Sequence, residues 1–386
     1  VSRFTFHVSR FTFHVSRFRA WGCPDYARSP LSQRPLPAVS APAPRSLLPP
    51  PSTLPVLLPL LAFLLAGLLS LTQARDLGGG LREWVKWLEV LLVALFVAEE
   101  GRAGRGRWVV AVVLLAGVAQ AGVGLWQFGL RGSGPEHFVI LGRFYRAYGT
   151  FEQPNPFGGY MGLVWPVAAG LAAGLWRRVP RVGDATIQRF TFHAPRSSLL
   201  AALLAAITLS ALVVSFSRGA WLGAAAAAGA MILFWPRNRW LGAGLLIGGG
   251  LAFGLLYAGG LLPGAIAERL RDVGDFVQVY DVRGVDITPE NFALVERIAH
   301  WQAALDMARL HPLLGVGLDN YAAVYPQVRL LNWVFPLGHA HNFYLNLLAE
   351  TGAVGLAAYL ILWGSVFAFT IHALGRASGA RRGLLL

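Results

Sequence analysis

Cysteine is all but absent. Cys23 is the only one in 386 residues, so neither a disulfide nor a cysteine-held metal can form within the chain. Charge is scarce as well. Asp, Glu, Lys and Arg make up 13% of the residues, about half the share of a soluble globular protein. Acids are scarcer than bases, 19 against 33, which leaves a net charge of +14. The remainder is largely apolar, with 55% hydrophobic residues and a mean hydropathy of +0.52. This composition is that of an integral membrane protein, whose excess arginine belongs on cytoplasmic loops. Nucleic-acid binding is the other common cause of basicity. It is set aside because no basic stripe lies outside the loops flanking apolar segments.

The first 53 residues carry no apolar run of membrane length. VSRFTFH recurs with a period of seven, as Val1 to His7, Val8 to His14 and a partial copy Val15 to Phe18, and Arg189 to His193 repeats its core. A proline-rich stretch runs from Pro30 to Pro59. The basic part is too long for a signal peptide, and no small-residue cleavage site follows a short apolar core. Residues 1–53 therefore read as a low-complexity, disordered tail, a translated repeat or a misplaced start.

Apolar segments fall near 54–72, 84–98, 108–128, 157–176, 198–216, 219–235, 240–262 and 343–372. Most approach the ~20 residues that cross ~30 Å of hydrocarbon. Trp84 and Trp87 suit an interfacial belt. The fold class expected is an all-α polytopic bundle of about eight transmembrane helices with one large external loop. Lys and Arg number 20 on one set of alternate loops and six on the other, which places both termini in the cytoplasm. The parts are then the tail (1–53), a bundle of about seven helices (54–262), an external loop domain (263–341), a polar-striped helix leading into the last span (342–374) and a cytoplasmic tail (375–386).

The external loop holds nine acids and six arginines. An anion bound there must be held by particular arginines rather than by a general positive field. Asn291 to Leu310 reads as an amphipathic helix with Leu294, Val295, Ile298, Trp301, Leu305 and Ala308 on its apolar face. Arg297, His300 and Gln302 fall outside that face. Pro312, Gly315 and Gly317 stop the helix. Asn320, Tyr321, Tyr325 and Trp333 follow and suit either sugar recognition or an interfacial aromatic belt.

The loop closes on His339-Ala340-His341-Asn342. Histidine exchanges protons near neutral pH, so a pair at the water–membrane boundary is a candidate for proton-transfer chemistry. Hydrogen bonding at the surface is the plainer role. A metal site is disfavoured because no third ligand stands at suitable spacing. Asn342, Asn346 and Glu350 are four residues apart and share one helical stripe. A carboxylate so near hydrocarbon must face protein or water, so Glu350 points into the bundle.

The string Arg297, Trp301, Pro312, Gly315, Gly317, Tyr321 and HAHNFYLNLLAETGAVG resembles the O-antigen ligase and polymerase family of bacterial membrane glycosyltransferases. Gly149-Thr150-Phe151 with Asn155-Pro156 and Gly159-Tyr160 resembles a second family segment, and Ser215-Phe216-Ser217-Arg218-Gly219-Ala220-Trp221 a third. The resemblance covers about 149–372. Family members usually have more spans, so this chain resembles a fragment or a minimal core. The resemblance implies multi-pass insertion in the cytoplasmic membrane with the active site on the external face. It implies transfer of a glycan from an undecaprenyl-diphosphate carrier to a glycan, lipid or protein acceptor hydroxyl, without cofactor or metal. His341 is then the general base and His339 the fallback. Arg218 and Arg297 hold the diphosphate, with Ser217 capping the helix after Arg218. Asn342, Glu350 and Tyr321 contact substrate, and Arg143 and Arg146 are weaker candidates. A repeat-unit polymerase of the same family is an alternative. A small-solute transporter is a third reading, and it would need polar groups at mid-membrane.

Overall fold

The computed structural model describes residues 53–140, 142–180, 190–193, 196–262, 264, 281–288 and 291–386. The expected disordered tail and its heptad repeats lie almost wholly outside them.

The described chain is helical, with two short hairpins. Helices α1 (Leu54–Ser70), α2 (Leu77–Arg102) and α3 (Gly106–Gly129) come first. A two-residue hairpin, β1 (Val139–Ile140) with β2 (Phe144–Tyr145), leads to α4 (Pro154–Leu175). A second hairpin pairs β3 (Arg177–Pro180) with β4 (Phe190–His193), the copy of the tail repeat. Then come α5 (Arg196–Val214), α6 (Arg218–Phe234) and α7 (Arg239–Ala258). The segment after α7 supplies α8 (Phe292–Leu310) and α9 (Tyr321–Val328) before α10 (Phe343–Arg376) and α11 (Gly379–Leu385).

A helix stands at each of the eight expected apolar positions. Six of them, α1 (with the turn after it), α3, α4, α5, α7 and α10, are long and apolar enough to cross a membrane. The 17 residues of α6 fall short of that length. The 26-residue α2 carries Arg82, Glu83, Lys86 and Glu89 near one end and Glu99, Glu100 and Arg102 at the other. The surface supports insertion: Leu115, Leu163, Ile247, Leu251 and Leu255 are each more than half exposed, a pattern that hydrocarbon tolerates and water does not.

Small residues set the packing, because glycine lets backbones approach. A Cβ on Gly117 would strike Val164, and one on Gly124 would strike Phe157. Around α4 this builds a core of Ala121, Phe157, Met161, Ala211 and Leu212. On the other flank Phe63 of α1, Trp87 of α2 and Tyr359 of α10 meet edge to face. The Trp84 indole donates to Leu64 O at 2.9 Å. Through these contacts Trp84 and Trp87 join α2 to the bundle.

The last long helix is broken. Gly352 has φ 65° and ψ −170° within α10. The break frees backbone groups that a buried segment cannot leave unpaired. The chain around Pro312–Gly317 takes them up: Ala353 N donates to Pro312 O, Val354 N to Leu313 O, Val316 N to Ala349 O and Gly317 N to Glu350 O. Gly315, also at positive φ, lies so close to Glu350 that a Cβ would collide with its backbone. The helix after the loop and the turn before it thus complete each other.

The loop helix α8 packs on α10 with a face that shares Val295, Ile298 and Ala308 with the expected one but is rotated toward the alanines. Ala299, His300, Ala303, Ala304 and Met307 are buried alongside Val295, Ile298 and Ala308, while Trp301 and Leu305 are only half-buried. Alanines admit the close approach that bulky side chains would block.

Candidate functional site

Three chain segments converge on one cavity of about 930 Å³. From the 144–155 segment come Arg146 and Asn155, from the α5–α6 turn Phe216 to Ala220, and from α8 Arg297. Below the arginines the walls turn apolar and small: Gly159, Gly162, Leu163 and Pro166 of α4 face Gly223 and Ala227 of α6.

The polar end is built by backbone contacts distant in sequence. Gln127 is buried in α3; its Nε2 donates to Gly149 O and its Oε1 accepts from Gly149 N and Tyr148 N. This clamps the Gly149-Thr150-Phe151 segment. Ala147 N donates to Val214 O. Arg146 donates to Ser215 O at 2.9 Å, to Phe216 O and to Asn155 Oδ1. Phe216 takes a left-handed φ of 49°, a costly conformation for a bulky residue. It turns the chain sharply so that Arg218 opens α6 at the cavity. Ser217 makes no side-chain cap on α6, contrary to expectation; its amide instead donates to Ser215 Oγ.

Arg218 and Arg297 are held against the same space. Burial lowers the pKa of Arg297, and the nearby Arg218 charge lowers it further. Two like charges on separate elements, beside the amino end of a helix, favour an anion between them.

The histidines adjoin this region without lining the cavity. Ala340 is fully buried among Tyr321, Tyr325 and Ala349, and its amide donates to Asn346 Oδ1 at 3.0 Å. It therefore acts as a peg, leaving His339 and His341 exposed on either side. Their rings lie 4.3 Å apart. His341 has a left-handed φ of 54°. Although one side of its ring meets solvent, burial pushes its pKa down to about 4, helped by His339 and Arg297. The imidazole is neutral at pH 7 and able to accept a proton.

The rest of the polar stripe organises this loop. Asn342 caps α10, its Oδ1 accepting from Tyr344 N and Leu345 N. Glu350 is buried and accepts from Tyr321 N at 3.2 Å. Tyr321 is fully buried, and its hydroxyl donates to His300 O. Tyr325 donates to Trp333 O. The Asn320 amide is occupied on all sides, accepting from Arg75 N and Asp76 N and donating to Asp76 O and Leu318 O. The side chains that suited either sugar or an interfacial belt are thus braced in the interior. Among the described residues no group of His, Cys, Asp or Glu is arranged to hold a metal ion.

His300 is the residue that sequence reasoning missed. It is 1% exposed, stacks on Tyr325 at 4.9 Å and meets the His341 ring edge-on at 5.8 Å. Its signal was its place one helical turn after Arg297.

Residues 201–360 match a protein-family model described as O-antigen ligase. The matched segment contains Arg218, Arg297, His300, His339, His341 and Glu350; the Gly149–Tyr160 segment lies before it. A search of curated proteins finds no match. From α5 into α10, over residues 201–360, this multi-pass membrane protein carries an O-antigen ligase family domain.

Proposed function

We propose that the chain transfers a glycan from an undecaprenyl-diphosphate carrier to an acceptor hydroxyl on the external face of the cytoplasmic membrane. The observation that carries this reading is the form of the cavity. Arg146, Arg218 and Arg297 gather at one end, and a groove of glycine, alanine and leucine continues between α4 and α6. A diphosphate with a polyprenyl tail has the same division. From Arg218 to Ala227 the groove descends roughly 13 Å at 1.5 Å per residue, enough to take the first isoprene units. The excess of Lys and Arg on one set of alternate loops, 20 against six, supports both termini lying in the cytoplasm.

In the reaction, the acceptor oxygen attacks the anomeric carbon. Its proton passes to neutral His341, and the bond from that carbon to the diphosphate oxygen breaks. The electron pair leaves with the diphosphate, whose charge the arginines hold. A free-enzyme pKa near 4 makes His341 a weak base. The arriving diphosphate offsets the Arg297 charge that depresses it, so the base strengthens as donor binds. A transporter would need its polar groups at mid-membrane, whereas Glu350 is engaged with the loop backbone.

The test is reconstitution. Proteoliposomes given an undecaprenyl-diphosphate disaccharide and acceptors extracted from the native membrane should release undecaprenyl diphosphate in step with glycan transfer. Transfer should persist in EDTA. Movement of free solute without any release of carrier would overturn the proposal.

A further inference from the structure

His300 is a buried imidazole beside the Tyr321 hydroxyl. That hydroxyl lies 3.1 Å from His300 O, to which it can donate, and 3.0 Å from His300 Nδ1. With its single proton on His300 O, Nδ1 is the ring donor and Nε2 is left with a bare lone pair. That atom is buried and has no hydrogen-bond partner among the described residues. An unpaired buried acceptor costs free energy, and such atoms cluster where a partner arrives during function.

The ring's surroundings narrow the choice of partner. Tyr325 covers one face of His300, and the ring facing it edge-on is His341. The ring centroids are 5.8 Å apart, slightly more than two imidazoles joined by an N–H···N bond would show, the slack expected before substrate is seated. Burial, with His341 and His339 adding to it, pushes the His300 pKa down to about 4. It is therefore a neutral acceptor at pH 7.

We infer that His300 is a positioning residue for His341: its Nε2 accepts the His341 ring N–H and so presents the other nitrogen of His341, lone pair outward, to the acceptor hydroxyl. The inference rests on the reading of His341 as general base. His341 gains the acceptor's proton on its outward nitrogen while its inward N–H stays bonded to His300. The positive charge on the imidazolium is shared with a neutral acceptor, and His300 itself changes no bond. Tyr321 acts one step further out by fixing the His300 tautomer. The titratable and charged groups around His341 are His300 and Arg297 on α8 and His339 on its own loop.

Two amides separate the roles of the two nitrogens. His300→Asn keeps a donor near Nδ1 and removes the acceptor at Nε2, whereas His300→Gln places an oxygen near Nε2. The readouts are kcat, donor KM and the pH profile of transfer from an undecaprenyl-diphosphate disaccharide. H300N should lower kcat at least tenfold with KM unchanged. Its acid limb should move to lower pH, because losing an acceptor makes the His341 imidazolium harder to form. H300Q should recover part of kcat. Tyr321→Phe, nearly isosteric and so able to fold, should lower kcat several-fold with the same pH shift, and the effect should vanish in an H300N background. A wild-type kcat and acid limb in Y321F, or in an inserted H300N protein, overturns the inference. His341→Ala separates the two failures. If it is inactive while H300N and Y321F behave as wild type, only the positioning role falls. If it is fully active, the base assignment falls as well.

Discussion

Replacing Arg218 or Arg297 by glutamine tests the cavity as a diphosphate site. Each guanidinium would contribute a charge-assisted hydrogen bond to the bound anion, worth about 1.5–3 kcal/mol. At about 1.4 kcal/mol per decade, each substitution should weaken donor binding roughly 10- to 150-fold. Lysine at either position should lie between, keeping the charge but losing the planar fork. The two positions come from separate elements, the start of α6 and the middle of α8. If each holds its own phosphate oxygens, the double variant should lose the product of the two factors. If they share one phosphate, the loss should be smaller. The assay is calorimetric titration of detergent-solubilised protein with undecaprenyl diphosphate at two salt concentrations. Donor affinity within twofold of wild type in both single variants would refute the assignment.

Gly352→Ala should destabilise the protein severely, because φ is 65° and a Cβ would strike the Leu313 backbone; a shift of many degrees in a thermal-unfolding scan checks this. Asn346→Ala frees the Ala340 amide and should lower kcat about tenfold or more with little change in donor KM, since the peg holding the His341 loop is lost. His300 is held neutral with a folded pKa of about 4 against 6.5. Because its folded value is depressed, the stability from this group is present above about pH 6.5 and is lost as pH falls toward 4. It amounts to at most about 3 kcal/mol, and His300→Gln should flatten that part of a plot of melting temperature against pH.

The apolar runs were enough to place α1 to α7 and α10, because ~20 apolar residues have few other fates. Arg218 and His341 were legible through their local strings, and the structure brings Arg218 to the cavity and His341 to the neighbourhood of Arg297. The burial of His300 was not legible. Large apolar residues suggested the inward face of α8, whereas close packing on α10 favoured its alanines and carried His300 in with them. The kink at Gly352 was hidden for a related reason: it is stable only because Pro312–Gly317, some 35 residues earlier, supplies the missing partners. Asn320 and Tyr321 suited sugar by residue type, yet their polar atoms are taken by partners up to 245 positions away. Arg146 likewise gained its place through carbonyls 69 and 70 positions later.

The central claim is that His341 takes the acceptor's proton beside an arginine-held diphosphate. The most direct measurement compares His341→Ala with wild type in one preparation, reading both glycan transfer from an undecaprenyl-diphosphate disaccharide and the Kd for undecaprenyl diphosphate. The account predicts that transfer falls by about 10²–10⁴-fold while Kd and membrane insertion stay unchanged. Transfer at the wild-type rate, or a loss explained wholly by weaker donor binding, would contradict it.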